Sequence, residues 1–225
     1  MNQVPIITID GPSGVGKGTL AHALEKLTGY HFLDSGALYR ALAYGVQKLN
    51  LDPQQDKEAV VELAEHLPIR FADGKILFQV SGQEEDITQA IRNETIAGIA
   101  SQVAAIPEVR SALLSRQKAF ATPPGLVADG RDMGTVVFPD APVKFFLTAS
   151  PEVRAQRRVA QLAEQGIDAD VVQIAKEIAE RDERDRNRKT APLKPADDAI
   201  VIDTSNMTIK EVVDFAAQKV KEKLA

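Results

Sequence analysis

The chain has 225 residues, 44% hydrophobic and 26% charged, with 27 basic against 32 acidic side chains and a formal net charge of −5. That length suits one medium domain with insertions, or two small ones, and can bury roughly 70–75% of its unfolded surface; the acidic balance argues against a general nucleic-acid or anionic-membrane binder. With no cysteine there is no disulfide and no thiolate metal site, no apolar run nears the ~20 residues of a membrane helix, and the first residues run straight into strand without a signal peptide, so a cytoplasmic protein is expected.

The stretch Ile6–Leu20 organises the rest. A short β-branched apolar run reads as a buried strand, a glycine-rich turn follows, and Leu20, Ala23, Leu24 and Leu27 then recur at helical spacing. Strand, glycine turn and helix are the setting of a phosphate-binding loop. Gly11, Gly14, Gly16 and Gly18 leave room for a phosphate beside the main chain, consecutive N–H groups can converge on it, and the new helix aims its positive end there. Lys17 would reach the outer phosphates. The usual Gly-x4-Gly-Lys-Ser/Thr order is altered, with Gly18 at the hydroxyl position and Thr19 one place later. A Rossmann loop is excluded for want of Gly-x-Gly-x-x-Gly, and a plain glycine turn is the bland rival.

His31–Asp34 reads as a second strand, Ser35-Gly36 as a turn, and Ala37–Leu49 as a helix. This makes a βαβ unit with a parallel right-handed crossover. Ligands of open parallel sheets collect at the carboxyl ends of the strands, which would bring Asp34, Ser35, Tyr39 and Arg40 to the phosphate crevice. Residues 51–105 differ in character. Lys57–His66 looks helical, Ile69–Phe71 and Lys75–Val80 alternate as a hairpin with Asp73-Gly74 as its turn and Ser81-Gly82 as its end, and Thr88–Ala104 reads as one helix. His22, His31 and His66 lack ligand-like spacing.

Pro107 opens a helix stopped by Pro123-Pro124-Gly125. Leu126–Asp129 is a buried strand ending in a carboxylate, with Gly130–Gly134 as its loop, where Asp129 could hold a hydrated Mg²⁺. Val143–Leu147 is a core strand, Ser150-Pro151-Glu152 caps a helix bearing Arg154, Arg157 and Arg158, and Asp170–Glu180 continues helical. The run Arg181–Lys189 reads either as a salt-bridged exposed helix or as a closing lid in which Arg181, Arg184, Asp185 and Arg188 share a face. Ala199–Asp203 is the last strand, and Ile209, Val212, Val213, Ala216 and Val220 line the final helix.

Four segments together resemble bacterial cytidylate kinases nearly end to end: Gly11-Pro12-Ser13-Gly14-Val15-Gly16-Lys17-Gly18-Thr19, Asp34–Arg40, Asp129–Gly134 and Arg181–Arg186. The Gly-Lys-Gly-Thr variant is shared with nucleoside monophosphate kinases generally. The resemblance implies an α/β P-loop three-layer fold: a five-stranded parallel sheet, core at 1–59, 105–153 and 192–225, a monophosphate-binding insert at about 60–104, and a helical lid at about 154–191. It implies phosphoryl transfer from ATP to CMP or dCMP with Mg²⁺, by a monomer. Ser35, Arg110, Asp132 and Arg188 would read the cytosine and its surroundings. Tyr39, Arg40 and Arg131 would line the monophosphate site, and Ser101, Arg181 and Asp185 would approach the sugar. Lys17, Arg131 and the lid arginines Arg158 and Arg184 would supply charge during transfer. The rivals are a kinase for another acceptor (UMP, AMP or shikimate) and a non-catalytic nucleotide switch, with a nucleic-acid reader weaker still.

Overall fold

The structure is a computed structural model describing residues 4–72, 74–80 and 82–224. It divides into two compact units, one comprising the chain up to Asp34 and from Gln117 onward, the other Ser35–Arg116.

The first unit is built on a five-stranded sheet of β1 (Ile6–Asp10), β2 (His31–Asp34), β6 (Leu126–Gly130), β7 (Val143–Thr148) and β8 (Ile200–Asp203). The spatial order is β2-β6-β1-β7-β8, with every neighbouring pair parallel. Parallel strands bury both faces, so they read as unbroken apolar runs; Ile7, Ile9, Val127, Val143, Phe145 and Leu147 are all buried. β1 lies at the centre, and register brings Ile9 opposite Asp129, Asp10 opposite Gly130, and Asp34 opposite Asp129. Asp34, Asp129 and Asp10 thus lie at the carboxyl ends of three neighbouring strands.

Helix α1 (Lys17–Thr28) packs Leu20, Ala21 and Leu24 on this core together with Val212, Ala216 and Val220 of the last helix, α8 (Ile209–Leu224). Two expected core positions turn outward: Leu27 is 53% exposed and Ile209 67%. Each sits near a helix end, where the apolar stripe has already drifted off the sheet. Between β7 and β8, α6 (Pro151–Glu164) and α7 (Val171–Arg186) pair through a small cluster of their own: Ala155, Leu162, Ile174 and Ile178. The Ser150 hydroxyl accepts from the Val153 N–H, and Pro151 follows it as the first helical residue, as expected.

In the second unit, α2 (Ser35–Lys48) starts directly at Ser35, so the expected Ser35-Gly36 turn is absent. α3 (Lys57–Glu65), α4 (Glu94–Val103) and α5 (Pro107–Lys118) follow, with a three-stranded antiparallel sheet of β3 (Ile69–Ala72), β4 (Lys75–Val80) and β5 (Gln83–Asp86). Leu42, Val46, Val60, Leu67, Phe78, Ile96, Val103 and Leu113 share its core. The hairpin continues past its expected end, because β5 adds a third strand. Its residues Gln83-Glu84-Glu85-Asp86 are all exposed, so no apolar alternation announces it. Asp73 of the expected turn and Ser81 lie outside the described residues. The expected Thr88–Ala104 helix is broken into a 3₁₀ turn at Ala90–Arg92 and α4, because Asn93 adopts extended backbone and its side chain caps the Ile96 N–H. The expected insert at about 60–104 falls wholly within this unit.

Phe145 is 1% exposed at the middle of the first core. We expect Phe145→Ala to lower stability by about 3–5 kcal/mol, read as a shift of the urea midpoint at unchanged slope.

Candidate active site

The loop between β1 and α1 turns because its glycines permit it. At Gly11, with φ 148°, a Cβ would overlap the carbonyl oxygen of Leu147. At Gly14, with φ 76°, it would stand 3.1–3.3 Å from the Arg154 backbone and Cβ of α6. Gly18 differs from expectation: it is helical, in the first turn of α1, and its missing side chain leaves the helix start facing Asp129 Oδ2, 3.8 Å from where a Cβ would be.

The backbone carbonyls of this loop are held from outside. Arg154 Nε donates to Ser13 O at 2.5 Å, Arg157 Nη1 to Gly14 O at 3.4 Å, and Thr204 Oγ1 to Val15 O at 2.9 Å. Peptide planarity sets each C=O opposite the following N–H, so the N–H groups of Gly14, Val15 and Gly16 point the other way. Lys17 opens α1, is 8% exposed and donates from Nζ to Pro12 O at 2.9 Å. Burial lowers its pKa to about 7, with the Arg131 charge adding to the fall and Asp129 opposing it.

Asp10 ends β1 and accepts from two backbone N–H groups, Met133 to Oδ1 at 2.8 Å and Gly134 to Oδ2 at 2.7 Å. These residues begin a π-helical turn, Met133–Val137, where a plain loop was expected. The turn is closed by Val137 N–H to Asp132 O and Phe138 N–H to Met133 O. Asp10 therefore fixes the segment carrying Arg131 and Asp132. Its burial raises the carboxyl pKa to about 7 against the pull of the two N–H groups, and the charges of Asp132 and Asp129 add to the rise.

Arg131 reaches in two directions, Nε to Asp185 Oδ2 at 3.2 Å and Nη2 to Ser13 Oγ at 3.1 Å. Burial works against the Asp185 carboxylate, but the charges of Arg131, Arg181 and Arg188 outweigh it and hold its pKa below the usual range. Asp182, Asp185 and Arg188 are 7%, 3% and 7% exposed. The run Arg181–Lys189 is therefore two-sided and not a wholly exposed helix: Asp182, Asp185 and Arg188 face inward, Glu183, Arg186, Asn187 and Lys189 stay exposed, and helix α7 stops at Arg186, leaving Arg188 beyond it. Arg181 and Arg184 are half-buried on α7. Arg158 is half-buried on α6, its Nη1 on Gln161 Oε1 at 2.7 Å.

The structure thus gathers Lys17, Asp129, Arg131, Asp185, Arg181 and Arg188 of the first unit around the loop, with Asp132, buried, beside Asp10. The remaining expected residues belong to the second unit. There Ser35 (α2) and Ser101 (α4) are each 3% exposed, and Tyr39 and Arg110 each 7%. The Arg110 guanidinium lies 5.5 Å from the Tyr39 ring centroid and donates to Ala104 O at 3.1 Å. Arg40 is half-buried on α2. Sequence reading passed over Asp10, Asp182 and Thr204. Asp10 had one signal, a carboxylate closing an apolar strand just before the loop; Asp182 and Thr204 had none, since each acts through a residue distant in sequence.

The family model described as "Cytidylate kinase" matches residues 7–222. Curated proteins named cytidylate kinase are 53% identical over 221 residues in Enterobacter sp. (strain 638), covering 98% of this chain and 97% of the relative, and 55% identical over 226 residues in Stutzerimonas stutzeri (strain A1501), covering 99% and 98%. Among solved structures, a chain described as TT1252 from Thermus thermophilus is 20% identical at a TM-score of 0.48, covering 100% of both chains.

The two shifted groups set a pH dependence. Asp10 is raised, so its contribution to stability is full below about 3.8 and lost as pH climbs to about 7. Lys17 is lowered, so its contribution is full above 10.5 and lost as pH falls to about 7. A polyphosphate beside Lys17 favours the ammonium. We therefore expect ATP binding at pH 8 to take up about one proton, measured by calorimetry in buffers of different ionisation enthalpy. Lys17→Met should abolish that uptake; equal uptake in both proteins would contradict the assignment.

Proposed function

The chain belongs to the cytidylate kinase family, and on that premise we propose how its residues carry the γ-phosphoryl group of ATP to CMP or dCMP, giving ADP and CDP or dCDP. The observation that carries the reading is the buried Lys17 at a loop whose amides face one way, with Arg131 bridging from that loop to Asp185. A switch needs one anion site; the second cluster of buried and half-buried arginines beside the first suits an enzyme with two anionic substrates.

Phosphoryl transfer asks for in-line placement, neutralised charge and exclusion of water, and little covalent chemistry from the protein. Gly11, Pro12, Ser13, Gly14, Val15, Gly16, Lys17, Gly18 and Thr19 hold the donor phosphates. Arg131 and Arg40 hold the acceptor phosphate, with Tyr39 against it. Asp132, Ser35, Arg110 and Arg188 read the cytosine, a carboxylate accepting from its amino group, while Ser101, Arg181 and Asp185 meet the sugar. The α6–α7 arm, with its separate apolar cluster, serves as the lid, and Arg158 and Arg184 add positive charge as it closes. No general base is required, since the acceptor phosphate is already an anion.

ATP-dependent transfer of this kind generally needs a divalent metal ion, and Mg²⁺ fits the residues present. The Asp129 carboxylate faces the start of α1 across Gly18, and Mg²⁺ takes one or two hard oxygens from protein and fills the rest with water and phosphate. Asp129 would hold it, through water, and the site so filled would supply positive charge against the phosphates. The protein is read as a cytoplasmic monomer of pyrimidine nucleotide metabolism; among the described residues no helix is long and apolar enough to cross a membrane.

A coupled assay of ADP release across CMP, dCMP, UMP, AMP and shikimate tests the whole proposal. We expect a cytidine nucleotide to be the fastest acceptor; a faster rate with another acceptor, or ATP binding without turnover on any of them, overturns it. Lys17→Ala should lower turnover by about 10² or more with its circular dichroism unchanged, and near-normal turnover would take Lys17 out of the mechanism. Asp132→Ala should weaken CMP at least tenfold more than ATP, consistent with losing about 1.4 kcal/mol or more from one site alone; equal losses in titration would contradict base reading.

A further inference from the structure

We infer that Arg154 and its partner Asp182 are positioning residues that hold the phosphate loop open for the triphosphate of ATP, and that they set donor affinity without touching the nucleotide. The inference rests on the reading of the loop as the ATP site.

Arg154 is 2% exposed, and each of its three side-chain nitrogens makes a hydrogen bond. Nη1 and Nη2 grip both oxygens of Asp182 on α7, at 2.5 and 2.9 Å, and Nε donates to Ser13 O. A bidentate carboxylate fixes the plane of a guanidinium. The Nε–H is thereby aimed at one loop carbonyl, and the peptide it grips presents the Gly14 N–H on the opposite side. Arg157 and Thr204 do the same for the next two carbonyls, and Thr204 is itself held by Arg157 at Oγ1 and at its carbonyl oxygen, 2.9 and 2.7 Å away. Cationic donors on the carbonyls polarise those peptides and strengthen their outward amides.

A role confined to packing would not require this chemistry. Buried ion pairs replaced by apolar groups of similar volume often leave stability unchanged or raised, so two apolar residues would join α6 to α7 as well. Such residues could not hold the Ser13 carbonyl. Gly14 completes the arrangement, because any side chain there would meet the α6 backbone and push the loop away from Arg154.

Three variants separate positioning from packing: Arg154→Met, Arg154→Met with Asp182→Leu, and Arg154→Lys. Affinity for Mg·ATP is titrated without acceptor, beside the thermal midpoint and the KM for CMP. Arg154→Met leaves Asp182 buried and unpaired, and its midpoint should fall by roughly 6–20 °C. The double variant should regain most of that loss, yet bind ATP about tenfold or more weakly, with the KM for CMP within about threefold of wild type. Arg154→Lys keeps the charge, loses the fork, and should also bind ATP about tenfold or more weakly. The inference fails if ATP affinity returns with the midpoint in the double variant, if Arg154→Lys binds ATP normally, or if CMP weakens as much as ATP. Wild type that binds ATP but does not phosphorylate CMP would instead sink the proposed function and leave this comparison readable.

Discussion

Everything at this site depends on a peptide segment whose carbonyls are held on one side so that its amides face the other. A free loop of glycines would sample many orientations, since Gly loses more conformational freedom on ordering than any other residue. Here the freedom is removed from behind, by Arg154, Arg157 and Thr204, side chains that the sheet order brings to the loop from α6 and from just beyond β8. β1 makes this possible by lying at the centre of the sheet, where its loop is flanked by the carboxyl ends of β6 and β7.

The central sheet was legible because parallel strands carry dense β-branched runs, and β1, β2, β6, β7 and β8 were each expected within a residue or so. β5 was not, because Gln83-Glu84-Glu85-Asp86 has no apolar face; its ladder to β4 and pairs such as Arg70–Glu84 hold it, and exposed pairs contribute little on their own. The single helix expected over Thr88–Ala104 missed the break at Asn93, where side-chain capping competes with helix continuation. At the site, glycine spacing exposed the loop and strand ends exposed Asp129 and Arg131. Asp10, Asp182 and Thr204 stayed hidden because their partners lie 28 to 189 residues away, at distances where no periodicity operates. Arg181–Lys189 was ambiguous for a related reason: a run of mixed charges looks the same solvated or buried, and only packing shows that Asp182, Asp185 and Arg188 face inward.

Burying Lys17 and Asp10 costs stability, and the direction of both pKa shifts records it. Desolvation disfavours the charged form of each, while Arg131 pushes further against the lysine. A polyphosphate brings the negative charge that Lys17 lacks. On the proposed reading of this loop as the ATP site, the binding free energy of ATP would be partly relief of a cost already built into the protein, which is how a preorganised site differs from one that must assemble its charges around the ligand.

Arg131 carries this argument from one part of the site to the next. Its donors are committed to Asp185, to Ser13 and, at 3.4 Å, to the carbonyl of Gly130. A guanidinium has five N–H groups in a fixed plane, so these three contacts share one orientation, and turning the plane to favour one of them disturbs the other two. The contacts to Asp185 and Ser13 tie the end of β6 both to α7 and to the phosphate loop through that one rigid group.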